Sequence, residues 1–121
     1  MDVSTQPAAS ESGAGSHDEY PPLETLIIEA LENDKAEDIT VIDLGGKSSI
    51  ADTMIIASGR SARHVSSLAD HLIRKLKEGG FGRAQVEGLA SADWVLIDAG
   101  DAVVHLFRPE VRDFYQLERI W

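Results

Sequence analysis

The 121-residue chain has no cysteine. Disulfide frameworks, cysteine zinc sites, thiol nucleophiles and iron–sulfur clusters are therefore excluded. No run of eighteen apolar residues occurs, so no transmembrane helix is expected. The first residues show neither the basic n-region nor the apolar h-region of a secretory signal, and the expectation is a soluble, cytoplasmic protein. Positive charge is in short supply: 11 Lys and Arg stand against 21 Asp and Glu, a formal charge of −10. A protein that grips nucleic acid through phosphates presents a basic face, which argues against protein-wide DNA or RNA binding. An acidic chain can still reach a nucleic-acid machine by docking on its basic proteins.

What is present suffices for one domain. With 43% hydrophobic residues the composition is globular, and a chain of this length buries roughly two-thirds of its unfolded surface. Residues 1–19 differ from the rest. They hold four acids, no Lys or Arg, and Val3 as their single large aliphatic. Such a stretch cannot offset its ordering entropy and is expected to be a disordered acidic tail. Without it, 17 acids face 11 bases, so residues 20–121 form an acidic domain of −6.

Periodicity predicts the elements. Pro22 suits a first helical position, and Leu23, Leu26, Ile27, Ala30 and Leu31 follow at helical spacing. Ile39 to Leu44 and Thr53 to Ala57 read as strands, each followed by glycine-containing turns. Ser61 is an N-cap for a helix whose apolar positions are Val65, Leu68, Ala69, Leu72, Ile73 and Leu76, with Gly79-Gly80 as its stop. Ala84 to Glu87 is a weaker strand. Trp94 to Ile97 is a continuous apolar run, as an interior strand requires. Ala99-Gly100 or Gly100-Asp101 can turn it into Val103 to Phe107. After Pro109, the spacing of Val111, Phe114 and Leu117 fits a short terminal helix. The order α-β-β-α-β-β-β-α predicts one mixed β-sheet of about five strands flanked by helices.

No catalytic constellation stands out. Asp43, Asp52, Asp98 and Asp101 lie at strand ends or turns, where paired carboxylates could hold divalent metals. A nucleotidyltransferase would follow its Gly-Ser turn with Asp-x-Asp. Here Asp52 is followed two residues on by Met54, whose thioether cannot replace a hard oxygen ligand. A turn-capping role for Asp52 is the plainer alternative. Gly45-Gly46-Lys47-Ser48 is not a P-loop, because Val41 occupies the place of its first glycine. Lys47 is either a partner contact or an exposed turn residue. His64 and His71 lie about 10 Å apart along one helix, too far to share a metal unaided. They read as a solvated helix surface, with His64 able to pair near Arg60 or Arg63. His105 alternates with Val103 and Phe107 on one strand face, as a core or interface histidine. Trp94 is core by default and otherwise a partner anchor. No cofactor or metal is implied.

Taken in order, Gly46-Lys47-Ser48-Ser49-Ile50, Asp52 with Met54 to Gly59, and Ser61-Ala62-Arg63-His64-Val65 resemble the ribosomal silencing factor family, RsfS, also called Iojap. The likeness continues through Val86-Glu87-Gly88, Ala92-Asp93-Trp94, Asp98 with Gly100-Asp101, Val104-His105, and Arg112 with Tyr115, Leu117-Glu118 and Trp121. It covers about residues 22 to 121. The resemblance implies a nucleotidyltransferase-like α/β fold without enzyme activity. It implies binding to the large ribosomal subunit through that subunit's ribosomal protein number fourteen, blocking subunit joining and repressing translation under nutrient limitation, with a homodimer when free. It places partner contacts at Trp94, Asp98, Ala99, Gly100 and Asp101, together with His105 and Lys47. Ala99 stands where larger apolar residues are common in the family. Two other readings stay open: a minimal metal-dependent nucleotidyltransferase built on Asp52 with Asp98 or Asp101, and a dimeric scaffold joined through Phe114, Tyr115 and Trp121.

Overall fold

The computed structural model describes residues 21–45, 51–82 and 84–115, with side chains as far as 112. The acidic tail, the Lys47 turn and the side chains of Phe114, Tyr115 and Trp121 lie outside those residues.

Helix α1 (Pro22–Asn33) starts on Pro22 and buries Leu23, Ile27, Ile28, Ala30 and Leu31 along one face. It closes by two turn bonds, Ala36 N–H to the Leu31 carbonyl at 2.9 Å and Lys35 N–H to the Glu32 carbonyl at 3.0 Å. This is a Schellman closure with Lys35, at φ 64°, in the left-handed place that usually favours glycine. Strand β1 (Glu37–Asp43) pairs antiparallel with β2 (Thr53–Ser58). Strand β1 begins two residues before the apolar run predicts and ends one residue earlier. The reason is a register shift between Glu37 and Thr40, with Asp38 at φ 52°.

Helix α2 (Ala62–Glu78) follows its predicted pattern. The Ser61 hydroxyl accepts from the His64 N–H, and Val65, Leu68, Ala69, Leu72 and Leu76 are each 1% exposed or less. Burying an aliphatic side chain of this size contributes about 1.5–3 kcal/mol, so this one face anchors the helix. Strands β3 (Gln85–Glu87), β4 (Trp94–Asp98) and β5 (Ala102–Phe107) follow, and then helix α3 (Pro109–Tyr115).

The five strands form one sheet in the order β1-β2-β5-β4-β3. All neighbours are antiparallel except β2 and β5, which run parallel, so α2, β3 and β4 intervene between two strands that lie side by side. The predicted mixed sheet flanked by helices is thus the observed α/β architecture. Strand alternation then divides the core. Ile55, Ala57, Val95, Ile97, Ala102, Val104 and Leu106 pack under α1 and α2. On the opposite face a smaller cluster gathers Leu44, Ala51, Met54, Ile56 and Phe107, with Ile42, Trp94, Val103 and Val111 of α3 against it.

Of the two helix histidines, His71 is exposed as a solvated helix surface requires, whereas His64 is partly buried and more engaged. The His64 ring accepts the Arg60 N–H at Nδ1 (3.0 Å), so Nε2 carries the proton and donates to the Asp34 carbonyl at 2.9 Å. His71 Nδ1 lies 2.8 Å from Asp34 Oδ2. Packing of α2 on α1 brings both rings against the α1–β1 turn, which the sequence of α2 alone could not reveal. Among the described residues no helix is long and apolar enough to cross a membrane.

Candidate partner-binding surface

Trp94, the first residue of β4, is set by the chain on either side of it. Ahead of it the backbone turns at Gly88 (φ 87°) and Ala92 (φ 56°), with the Ala92 N–H bonded to the Gly88 carbonyl at 3.0 Å. Any Cβ at Gly88 would lie 2.1 Å from the Trp94 carbonyl oxygen, so the loop closes this tightly only on glycine. Asp93 then pairs with Arg108 twice, carbonyl to N–H at 3.2 Å and carboxylate to Nη2 at 2.8 Å. That clamp joins the entry of β4 to the exit of β5 and holds the register in which Trp94 lies opposite Phe107.

Register and alternation place Trp94, His105 and Phe107 together on the sheet face away from α1 and α2. The Trp94 and Phe107 ring centres are 4.9 Å apart, and His105 stacks over Phe107 at 6.0 Å with planes 8° apart. Trp94 Nε1–H donates to His105 Nδ1 at 3.0 Å. Phe107 is fully buried, His105 is 9% exposed, and Trp94 is half-buried. Desolvation by burial lowers the imidazole from its ordinary 6.5 to about 4, so His105 is neutral near pH 7. Its Nδ1 is the acceptor and its Nε2 bears the proton.

The expected site residues divide between two ends of β4. Asp98 shares a face with Trp94, roughly 13 Å further along the strand, with half-buried Leu96 between them. Leu96 pairs with His105 and Asp98 with Val103. Of the two turns open to the sequence, the hairpin uses Gly100-Asp101. Ala99 N–H bonds to the Ala102 carbonyl at 2.9 Å, and Gly100 takes φ 93°. Asp98 Oδ1 accepts the Gly100 N–H at 2.9 Å, and Asp101 is exposed at the tip. The Asp101 carbonyl accepts from the N–H groups of Asp52 and Thr53 at 2.9 and 3.2 Å, fixing the hairpin to the start of β2. Ala99 is apart from this set, because alternation turns it toward the first core, where it packs. Lys47 lies outside the described residues.

The result is a strip across β4 and β5, aromatic at one end and acidic at the other. Leu96 and Phe107 belong to it although they do not stand out in the sequence; their parity with Trp94 and His105 was the available signal. Buried Glu24 is a further surprise, accepting from the Thr53 hydroxyl at 2.9 Å and tying α1 to β2. The carboxylate reading gains nothing from this geometry. Asp52 joins the strand ends through its main chain, Met54 is buried in the second core, and no three His, Asp or Glu side chains among the described residues converge to hold a metal ion.

Residues 17–121 match the family described as ribosomal silencing factor during starvation. The ribosomal silencing factor RsfS of Zymomonas mobilis is 54% identical over 96 residues, spanning 79% of this chain and 72% of that protein. That of Haemophilus influenzae is 44% identical, spanning 82% of this chain and 97% of its own. A crystal structure of a Chromobacterium violaceum protein superposes with a TM-score of 0.80 at 43% identity, covering 88% of this chain and 87% of that one. With the matched family spanning the whole described fold, the strip across β4 and β5 included, the chain belongs to the ribosomal silencing factor family.

Proposed function

We propose that this protein binds the large ribosomal subunit through its ribosomal protein number fourteen, and thereby blocks joining of the small subunit and represses translation when nutrients are limiting. It acts in the cytoplasm by occupying a site, not by catalysis, and pairs with a second copy of itself when free. One observation carries the reading: a half-buried tryptophan on a packed aromatic platform, in line with an acidic hairpin, on the sheet face that α1 and α2 leave open. Tryptophan anchors ringed by polar residues are the usual energetic centres of interfaces. The acidic hairpin complements a basic ribosomal protein. A mouse relative, 32% identical over 79% of this chain and 43% of its own length, is named for mitochondrial assembly of the ribosomal large subunit, which supports the same partner.

Sucrose-gradient co-sedimentation with separated subunits tests the proposal. The protein should travel with the large subunit and reduce joined ribosomes when the small subunit is added. Trp94→Ala, checked as folded by circular dichroism, should weaken binding roughly 30-fold, as loss of a central anchor does. Asp101→Lys, at an exposed tip outside the core, should weaken it less. Wild-type migration free of both subunits would refute the proposal.

A further inference from the structure

His105 sits in an apolar row. On β5 it lies opposite Ile56 of β2 on one side and Leu96 of β4 on the other, with Val103 and Phe107 flanking it on its own face. An aliphatic side chain would fill that place without burying a polar ring, whose desolvation is unfavourable unless hydrogen-bonded. What the imidazole adds is an acceptor: among the described residues its polar contact is the Trp94 indole, 3.0 Å away. At 9% exposed, His105 also has little surface of its own to offer a partner.

Building on the docking reading above, we infer that His105 is the positioning residue for Trp94: its Nδ1 engages the indole N–H, so Trp94 meets its partner with ring surface alone. The surface facing Trp94 in the complex is therefore apolar and supplies no hydrogen-bond acceptor to the indole. Stacking on buried Phe107 fixes the imidazole plane, and the imidazole in turn fixes the rotation of the indole about its own axis. Preorganising an anchor in this way lowers the ordering cost of association.

Three substitutions separate positioning from direct contact. His105→Asn keeps a polar atom near the place of Nδ1 and loses Nε2. His105→Gln places its amide near Nε2 and leaves nothing at Nδ1. His105→Leu lacks both. Two readouts apply to each folded variant: co-sedimentation with purified large subunits, and solvent exchange of the Trp94 indole N–H by NMR, assigned against Trp121→Phe.

Asn should bind nearly as wild type with a protected indole N–H, whereas Gln and Leu should bind roughly tenfold more weakly with a fast-exchanging one. Binding by Gln but not Asn would overturn the inference in favour of direct contact through Nε2. Binding unchanged in Leu or Gln would overturn it outright. Should Leu not fold, the Asn and Gln pair decides alone. Wild-type protein that fails to bind would instead overturn the docking reading, and the indole exchange would still report whether His105 holds Trp94.

Discussion

At the scale of single residues, His105 couples stability to pH. The folded protein keeps its imidazole neutral down to about pH 4, whereas the same group in the unfolded chain takes a proton near 6.5. Between those values the unfolded state binds more protons, so folding stability falls as pH drops through that window and is fully present above it. The shift corresponds to at most roughly 3 kcal/mol. Urea melts at pH 7 and pH 4.5 should show wild type losing more stability than His105→Asn, since the comparison cancels the carboxylates common to both. Equal losses would mean that His105 is not buried as a neutral ring.

Elements are held together by residues whose importance shows only in three dimensions. Arg112 of α3 is 7% exposed. Its Nη1 donates to the Asp38 carbonyl at 2.7 Å and the Ser58 hydroxyl at 3.0 Å, and its Nη2 to the Thr40 hydroxyl at 3.0 Å. One guanidinium thus ties the terminal helix to the irregular start of β1 and the end of β2. Removing it takes a charged donor from the buried Ser58 hydroxyl and from two partly buried acceptors, so Arg112→Ala should lower stability by about 3 kcal/mol, read as a lower urea midpoint. Arg112→Lys should recover little, because an ammonium cannot span this fork of acceptors. A midpoint unchanged in Arg112→Ala would show that α3 is held by its apolar contacts alone.

The same scale shows what local pattern can and cannot reveal. Helix α2 was legible because its period, its Ser61 cap and its terminal glycines agree with one another. The start of β1 was not, because Glu37 and Asp38 are polar and enter the strand through a bulge that Arg112 supports from 74 residues away. His71 stays exposed and His64 pairs with Arg60 as the polar helix face suggests, but their common partner Asp34 belongs to another helix's turn and has no signal in the sequence of α2.

For the whole molecule, charge and topology act together. A chain at −10 approaching a basic partner is steered by long-range attraction, which salt screens within about 10 Å at 0.1 M. Raising ionic strength from low to roughly physiological values should therefore slow association with the large subunit far more than it speeds dissociation. Surface plasmon resonance on immobilised subunits would measure both rates. An association rate indifferent to salt would leave the acidic hairpin without a steering role.

By itself the sequence determined the class of elements, their order and the apolar faces that bury, because these depend on periods and caps within a few residues. It also carried the family resemblance and singled out Trp94 and His105. The tertiary structure decided the rest. Only the parallel pairing of β2 with β5 fixes the sheet order, and only the β4–β5 register sets Trp94 on Phe107 and against His105. Ala99 and Asp98 are neighbours in the chain, yet the pleat sends them to opposite faces. A hydrogen bond such as that between the indole and the imidazole depends on distances between strands, and a linear pattern records residue types without recording distance.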